Sequence, residues 1–331
     1  MAKAKDSAVR KLIIQPDDGI DVVLNAINGS KVSIETKQFT ITDERLIKAL
    51  IGAHKRGVKV RVMMNAARPD ETRDNDTTLK TLKKAGIHAQ WSSPKFTITH
   101  EKSMVIDKQL AFVATFNWAP KYFGETRDYG VTTVDPLQVA QIIACFQADW
   151  DRADFKLSND VGLIWSNTNS RDCFAKFIDA AADTLDIQHP KFVDVPIIER
   201  ILRAQKRGVH VRVVCSGKHG VRAWDRAETF ASLQIIKDAG IKIHVLKHPK
   251  LHAKLMLRDG KAALIGSMNI HRRAFDERRE LGIVLTDVDL VKKLYETFNK
   301  DWDDTHKFEI PDPLSRESSD DSEHDPSVWA T

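Results

Sequence analysis

Short runs of β-branched and apolar residues alternate along the chain with longer stretches in which apolar residues recur every three or four positions. Runs of the first kind predict strands, and stretches of the second kind predict helices. Alternating strands and helices indicate a layered α/β architecture, in which helices cover a largely parallel or mixed sheet. In the N-terminal part we predict strands over 31–39, 58–65, 87–91, 102–107, 110–116 and 129–134, and helices over 43–55, 76–84 and 136–150.

The same pattern is written twice along the chain. Residues 54–62 (HKRGVKVRV) are echoed by 205–213 (QKRGVHVRV), and the offset stays between 151 and 154 throughout. It is 152 for the pairs DYGV and ELGI, which begin at 128 and 280, and for ADW and KDW, which begin at 148 and 300. Such self-similarity indicates a duplicated unit. We therefore predict a pseudo-twofold pair, with domains at 11–155 and 156–308, an N-terminal extension at 1–10 and an acidic, disordered tail at 309–331.

One motif occurs in both copies, as THEKSMVID at 99–107 and LHAKLMLRD at 251–259. On an extended strand, residues two apart point to the same side, so each histidine shares a face with its lysine. An imidazole and an ammonium are thereby offered to one bound phosphate. The motif residues are His100, Lys102 and Asp107 in the first copy and His252, Lys254 and Asp259 in the second.

A hydroxyl residue, an amide and an acid follow each motif at matching distances. Imidazoles can attack phosphorus and protonate a leaving oxygen, while lysines and amides hold the non-bridging oxygens. A carboxylate behind an imidazole fixes its tautomer and raises its basicity. We predict that the hydroxyls and amides bind substrate and that the acids take part in catalysis. These residues are Thr115, Asn117 and Asp128 in the first copy and Ser267, Asn269 and Glu280 in the second.

With both motifs and the downstream Gly-Ser-x-Asn at 266–269, the chain resembles the phospholipase D superfamily, in particular its cardiolipin-synthase-like branch. The resemblance covers nearly all of 11–308. It implies a duplicated α-β-α sandwich whose two halves share one active site at their interface. His100 would be the nucleophile that forms a phosphohistidine, by the commoner usage of the family, and His252 the general acid. The near-symmetry of the sequence leaves the reverse assignment open.

The resemblance implies roles for further residues, and the sequence departs from the family pattern at one position. Asp107 and Asp259 belong to the motif and enter our catalytic set, although in the family they are mostly structural. Asp128 stands where the family more often has Glu, so its carboxylate reaches about one methylene less far. The phosphate-binding residues implied are Lys102, Lys254, Asn117 and Asn269.

Neither a metal nor a cofactor is expected. The three cysteines (Cys145, Cys173 and Cys215) are widely spaced, which is typical of free thiols in a reducing compartment, so the cytoplasm is the expected location. Histidine spacings match no common set of zinc ligands. His189, which we align with Thr36 of the first copy, either lines the cleft or is an ordinary residue at a strand end.

Charge bears on the substrate. The formal net charge of +5 combines −6 on 309–331 with +11 on the rest, a balance that suits anionic lipid or nucleic acid. Basic residues at 271–273 and 278–279 either hold a second phosphate or form a solvated helix face. Aromatic residues at 118, 122, 123 and 224 either rim the cleft, where they would insert into lipid or stack on bases, or pack in the core.

The leading hypothesis is a phospholipid phosphodiesterase or phosphatidyltransferase. The competing hypothesis is a nuclease of the same superfamily, and an inactive binding module is disfavoured because both His-Lys pairs are kept. No stretch is apolar enough to span a bilayer, so contact with an anionic membrane would be peripheral. One chain supplies both half-sites, so no obligate protein partner is expected.

Overall fold

A computed structural model describes residues 9–221 and 223–311. We use the proposed boundaries 11–155 and 156–308 to name the first and the second half. The elements that begin in the first part of the chain are β1 (Arg10–Gln15), α1 (Asp21–Gly29), β2 (Ser33–Gln38), α2 (Glu44–Lys55), β3 (Lys59–Met64), α3 (Asp76–Lys84), β4 (His88–Trp91), β5 (Lys102–Ile106), β6 (Leu110–Ala114), β7 (Thr126–Thr133) and α4 (Pro136–Trp150).

The second half repeats this order and adds two short strands and one short helix. Its elements are β8 (Leu163–Trp165), α5 (Ser170–Asp179), β9 (Thr184–Gln188), α6 (Val195–Lys206), β10 (His210–Cys215), α7 (Ala223–Asp238), β11 (Lys242–Val245), β12 (Lys250–Leu251), β13 (Leu255–Arg258), β14 (Ala262–Gly266), α8 (Arg272–Asp276), β15 (Leu281–Leu285), α9 (Val288–Asp303) and β16 (His306–Lys307). The additions are the strands β12 and β16 and the helix α8.

Helix α2 shows how local sequence fixes an element. The carboxylate of Asp43 accepts a hydrogen bond from the backbone N–H of Arg45 at 2.9 Å, which caps the helix start. Leu46 and Leu50, one turn apart, are fully buried against the sheet, and each contributes about 2 kcal/mol by burial. Gly57 ends the segment with φ of 91°, a conformation that other residues rarely adopt.

Each half is built on a mixed sheet. The first has the order β1-β7-β6-β5-β2-β3-β4, and the second has the order β16-β11-β10-β9-β13-β14-β15-β8. Strands β2, β3 and β4 are parallel to one another, as are β9, β10 and β11, whereas the motif strands β5 and β13 are antiparallel to both neighbours. Strand β12 of the second half pairs with β7 of the first. The duplicated α/β fold with mixed sheets is confirmed.

The core has three main clusters. One cluster in each half lies between the helices and the sheet of that half. A third joins both halves and contains Val131 of β7, Ile265 of β14, Ile142 of α4 and Leu294 of α9. Strands covered on both faces need no polar alternation, which explains why continuous apolar runs predicted them. Within the described residues, no helix combines the length and apolarity needed to cross a bilayer.

Two elements of the first half escaped prediction, and one alignment was wrong. Strand β1 is half polar, and the nine-residue α1 has no capping side chain at Ile20, so neither carries a strong signal. The strand pairs correct the position of His189. Ser103 and Leu255 each follow the motif lysine, so they are counterparts. Ser103 faces Lys37 in the first sheet and Leu255 faces Gln188 in the second, so Gln188 corresponds to Lys37. His189, the next residue, therefore corresponds to Gln38 and not to Thr36. The predicted disordered tail lies outside the described residues from 312 onward.

Candidate active site

The two motifs meet where the halves join, and each is held by the other half. The backbone N–H groups of His100 and Glu101 donate to the carbonyl of Arg279 at 2.9 and 3.0 Å. The N–H groups of His252 and Ala253 donate to the carbonyl of Arg127 at 3.2 and 2.9 Å. Both histidines therefore sit on backbone that is fixed only when the halves are docked.

The acids pair with the histidines crosswise. Nδ1 of His100 lies 2.9 Å from Oε2 of Glu280, and Nδ1 of His252 lies 2.7 Å from Oδ1 of Asp128. Each pair joins the first half to the second, and all four side chains are buried. The shorter reach of Asp128 is sufficient for a full hydrogen bond. The sequence predicted all four residues, and the crossing emerged only in the structure.

Burial keeps both imidazoles neutral. It lowers the pKa of His252 to about 3, although Asp128 opposes the shift, and it lowers the pKa of His100 well below the usual value, aided by Lys102. Burial also raises the pKa of Glu280 to about 7. A neutral imidazole that donates from Nδ1 to a carboxylate keeps its Nε2 lone pair. Nε2 of His100 is buried and has no hydrogen-bond partner in the structure.

The two lysines extend beside the histidines. Nζ of Lys102 donates to the carbonyl of His100 at 2.5 Å, and Nζ of Lys254 donates to the carbonyl of His252 at 2.6 Å. Nζ of Lys254 also lies 3.1 Å from Nε2 of His252. Burial lowers the pKa of Lys254 to about 8 and lowers that of Lys102. Each ammonium has N–H donors that these hydrogen bonds do not use. A bound phosphate would accept from them and neutralise two buried positive charges.

The two amides, Asn117 and Asn269, are predicted phosphate ligands. Asn117 and Asn269 are fully buried. Neither the oxygen nor the nitrogen of the Asn269 side chain has a partner, and Asn117 shares a hydrogen bond with Tyr122. Leaving a buried polar group unsatisfied costs about 1–3 kcal/mol, which a ligand recovers. Phosphate binding by both amides stays a prediction.

The hydroxyls need a correction. The hydroxyl of Thr115 donates to Asp128 and accepts from the N–H of Tyr129, so it has no proton to offer a substrate. The hydroxyl of Ser267 donates to the carbonyl of Leu281 at 3.3 Å and accepts from its N–H at 3.1 Å. Both residues therefore hold the acid-bearing strands in place and do not bind substrate as we predicted.

The motif aspartates also need a correction. Asp107 accepts hydrogen bonds from the backbone N–H groups of residues 31–33, and Asp259 from those of residues 182–184. Burial would raise the pKa of either carboxyl, but these N–H donors outweigh it and lower the pKa. Both aspartates fasten a turn at the far end of the motif strand, so they belong to the scaffold and not to the catalytic set.

Two arginines lock the halves around the acids. Sequence reasoning missed Arg127 and considered Arg279 only as a phosphate ligand or as part of a solvated helix face. Arg279 makes a two-pronged bond to Asp149, with distances of 2.8 and 2.9 Å, and Arg127 does the same to Asp301 at 2.9 Å. Both pairs are buried and both cross between the halves. The sequence does carry a signal for these ion pairs. Each arginine directly precedes one of the two predicted catalytic acids, and each aspartate lies in the repeated Asp-Trp pair.

Lys37 joins one of these locks. Its Nζ lies 2.5 Å from Asp149 and 2.9 Å from Glu101. Burial alone would lower the pKa of Lys37, but Asp149, Cys145 and Glu101 together outweigh burial and raise it, so the ammonium stays charged. Nζ also donates to Sγ of Cys145 at 3.5 Å. The ammonium therefore bonds all three residues of the grouping Glu101, Cys145 and Asp149, whose ligand atoms lie close enough together to resemble a metal site.

The aromatic rim that we considered for lipid contact is wrong for three of its four residues. Trp118, Tyr122 and Phe123 are each at most 6% exposed. Tyr122 packs against the ring of His252, with 4.7 Å between centroids. The side chain of Trp224 lies outside the described part of the chain. Trp118, Tyr122 and Phe123 thus pack in the core of the first half, and Tyr122 also supports the ring of His252.

The chain is similar to known proteins over both halves. The family model described as cardiolipin synthase, PLD-like domain, matches residues 23–150 and again 174–302. A cardiolipin synthase of Clostridium perfringens is 26% identical over 301 residues, covering 78% of this chain and 62% of that protein. The major cardiolipin synthase ClsA of Bacillus subtilis is 24% identical over 359 residues, covering 92% and 73%. This chain thus spans less than two thirds of the Clostridium relative.

Solved structures share the fold. Phosphatidylserine synthase from Haemophilus influenzae superposes with a TM-score of 0.71 at 10% identity, covering 95% of this chain and 90% of that one. Polyphosphate kinase from Porphyromonas gingivalis gives 0.69 at 17% identity, covering 88% and 46%. With two matches that together span most of its length, the chain belongs to the phospholipase D superfamily.

Proposed function

We propose that the chain is an enzyme that transfers or hydrolyses the phosphatidyl group of a phospholipid through a covalent phosphohistidine. The observation that carries this proposal is the crossed arrangement of His100 with Glu280 and His252 with Asp128. It places two tautomer-fixed imidazoles at the junction of the halves, together with the two lysines. Such a pair is what a two-step displacement at phosphorus requires.

In the first step, Nε2 of His100 attacks phosphorus and the bond to the leaving alcohol breaks. A proton on Nε2 of His252 passes to the leaving oxygen. The charge of the bound phosphodiester favours that proton, because it offsets the loss of water that lowers the pKa of His252. Glu280 accepts a hydrogen bond from the Nδ1–H group of His100, and its carboxylate stabilises the positive charge that the attacking ring acquires.

In the second step, the neutral His252 removes a proton from water or from an acceptor alcohol. The resulting oxygen attacks phosphorus, the phosphorus–nitrogen bond breaks, and His100 leaves as a neutral ring. Water gives hydrolysis and phosphatidic acid, whereas an alcohol gives a new phosphodiester. The lysines and amides balance the charge on the phosphoryl oxygens in both steps. The reaction thus has a nucleophile, an acid–base and charge stabilisation without a metal or cofactor.

The relatives favour lipid as the substrate. Cardiolipin synthases match both halves of the chain, whereas the basic charge suits nucleic acid equally well. We propose that the chain meets its substrate at an anionic membrane surface by peripheral contact, on the cytoplasmic side. The competing proposal remains a nuclease, because the same site could open a nucleic-acid phosphodiester.

One competition assay tests the proposal. The full chain is incubated in excess EDTA with vesicles of phosphatidylglycerol, phosphatidylethanolamine and phosphatidylcholine, together with single- and double-stranded DNA and RNA. Products are identified by mass spectrometry. His100→Ala removes the nucleophile, and His88→Ala, at an exposed position of β4, is the matched control.

The expected result is phosphatidic acid or a transferred phosphatidyl product, present with wild type and His88→Ala and lost with His100→Ala. Shortened nucleic acid beside intact lipid would overturn the proposal in favour of the nuclease.

A further inference from the structure

A cavity outside the catalytic centre lies between the halves. It has a volume of about 920 Å³ and is bordered by Phe96 of the first half and by the starts of α5 and α6 and the end of α8 in the second. Cavities that hold small molecules span roughly 300–1,000 Å³. Among the described residues that line this cavity, none is a catalytic histidine, lysine, amide or acid. The cavity is therefore a candidate binding site of its own.

Arg279 forms part of the cavity wall. Its Nε and Nη2 bond Asp149, and its guanidinium lies 4.2 Å from the ring centroid of Phe96 and 5.7 Å from that of Phe155. The third nitrogen, Nη1, makes no hydrogen bond to any part of the chain that the structure describes. Asp149 already balances the charge of Arg279. What the arginine offers the cavity is thus a charged nitrogen with two unused N–H donors.

The corresponding nitrogen in the first half shows what such a donor binds. Arg127 is the counterpart of Arg279, and its Nε and Nη2 bond Asp301 in the same way. Its Nη1 donates to the carbonyl of Gln15 at 2.8 Å and to the carboxylate of Asp17 at 3.3 Å. In the first half, a carboxylate of the chain itself therefore occupies this position.

That carboxylate is missing from the second half. Ile14 of β1 and Trp165 of β8 occupy equivalent positions, because they face residues of β7 and β15 that are 152 apart. Three residues further on, Asp17 therefore corresponds to Thr168, which lines the cavity. The hydroxyl of Thr168 bonds only to the carbonyl of Ser166, at 3.4 Å. The cavity thus lies where the first half has its second carboxylate.

The remaining walls suit a ligand with an apolar body and one negative charge. The rings of Phe96, Phe155 and Phe275 line the cavity. Ser170 lines it at the start of α5, where no side chain caps the helix, and the N-terminal end of a helix favours an anion. Six other lining residues are charged, and each is already in an ion pair: Lys95, Arg171, Asp172, Arg200, Asp276 and Glu277.

We propose that this cavity binds a small amphipathic monocarboxylate, such as a fatty acid. Its carboxylate accepts from Nη1 of Arg279, as Asp17 accepts from Arg127, and its apolar body lies against the phenylalanine rings. The site does not rest on the proposed function, because no catalytic group takes part in it. It does adjoin the catalytic centre, since the carbonyl of Arg279 accepts from the backbone N–H groups of His100 and Glu101.

A binding experiment tests the chemistry of the ligand. Calorimetry with the full chain compares hexanoate, octanoate and octanamide. Octanoate should bind about ten- to hundredfold more tightly than octanamide, the size of a charge-assisted hydrogen bond. Each methylene added between hexanoate and octanoate should tighten binding about fourfold, because it is buried against the rings. Equal affinities for octanoate and octanamide would overturn the proposal, and so would the absence of octanoate binding.

A substitution at Thr168 tests the place of the carboxylate. Thr168→Asp restores in the second half the group that Asp17 supplies in the first, so it should weaken octanoate binding at least tenfold. Thr168→Asn, which has the same shape without the charge, is the matched control and should keep the affinity, as should Asp17→Asn outside the cavity. Thr168 is exposed, so thermal unfolding should find all these variants folded. Unchanged affinity in Thr168→Asp, or an equal loss in Thr168→Asn, would contradict the proposal.

Discussion

Nδ1 of His100 lies 2.9 Å from Oε2 of Glu280, although the two residues belong to opposite halves of the chain. His252 and Asp128 repeat the relationship in the other direction at 2.7 Å. Neither half therefore holds a complete imidazole–carboxylate pair. Docking of the halves is a condition for catalysis and not only for stability.

The crossed pairs predict different kinetic defects for the two acids. With phosphatidyl-p-nitrophenol, whose leaving group needs no acid, Glu280→Gln should slow the nitrophenol burst by about 10²- to 10⁴-fold, because it disturbs the nucleophile. Asp128→Asn should keep the burst and slow the following turnover, because His252 activates the water. Stopped-flow absorbance separates the two phases. Glu277→Gln is the control, and a burst lost only in Asp128→Asn would contradict the pairing.

The lysine pKa predicts the alkaline limb of the pH profile. Lys254 must carry its proton to hold phosphate, and burial lowers its pKa to about 8. The value of kcat/KM, which reports the free enzyme, should therefore fall as pH rises through about 8. Bound phosphate raises the pKa of the lysine, so the fall in kcat should lie at higher pH. Initial rates across pH 6 to 10 check this, and limbs at the same pH would refute it.

The buried arginine locks predict a loss of stability when one of them is broken. Asp149→Asn removes the partner of Arg279 and of Lys37 together, and breaking a buried ion pair typically costs about 3–5 kcal/mol. Urea unfolding at pH 7 measures the change. Glu44→Gln, which breaks an exposed pair with Lys48, should leave the midpoint in place. Equal midpoints for the two variants would show that the lock is not needed.

Close packing of two strands explains why the Gly-Ser-x-Asn segment begins with glycine. A Cβ on Gly266 would lie 2.6 Å from Cα of Gly282 and 2.8 Å from the carbonyl oxygen of Leu281, both of them backbone atoms. Gly266→Ala should lower the free energy of unfolding by about 1–3 kcal/mol, because the strands must separate. Gly29→Ala, with nothing within 4 Å of the added Cβ, is the control for thermal unfolding. A neutral Gly266→Ala would contradict the close approach.

Sequence reasoning identified the reacting groups because chemistry restricts them. Two His-x-Lys pairs at a constant offset leave few alternatives, and the downstream amides and acids follow at equal distances. It could not pair Glu280 with His100, because a duplicated sequence is equally consistent with pairs inside each half. Only the docking of the two sheets decides between them.

Other misses have local causes. A hydroxyl such as that of Thr115 serves a phosphate or a carboxylate equally well, so its partner depends on geometry. Asp107 lies five residues beyond its lysine, and no pattern shows that its carboxylate turns to backbone N–H groups. Strand β1 escaped because an edge strand with polar ends has little periodicity.

Trapping the intermediate tests the central claim most directly. Phosphatidyl-p-nitrophenol is mixed with His252→Asn and, separately, with His100→Asn, each reaction is stopped in alkali, and the peptides are analysed by mass spectrometry. The account predicts a phosphatidyl adduct on His100 in His252→Asn and no adduct in His100→Asn. An adduct on His252, or none in either variant while wild type turns over, would contradict it.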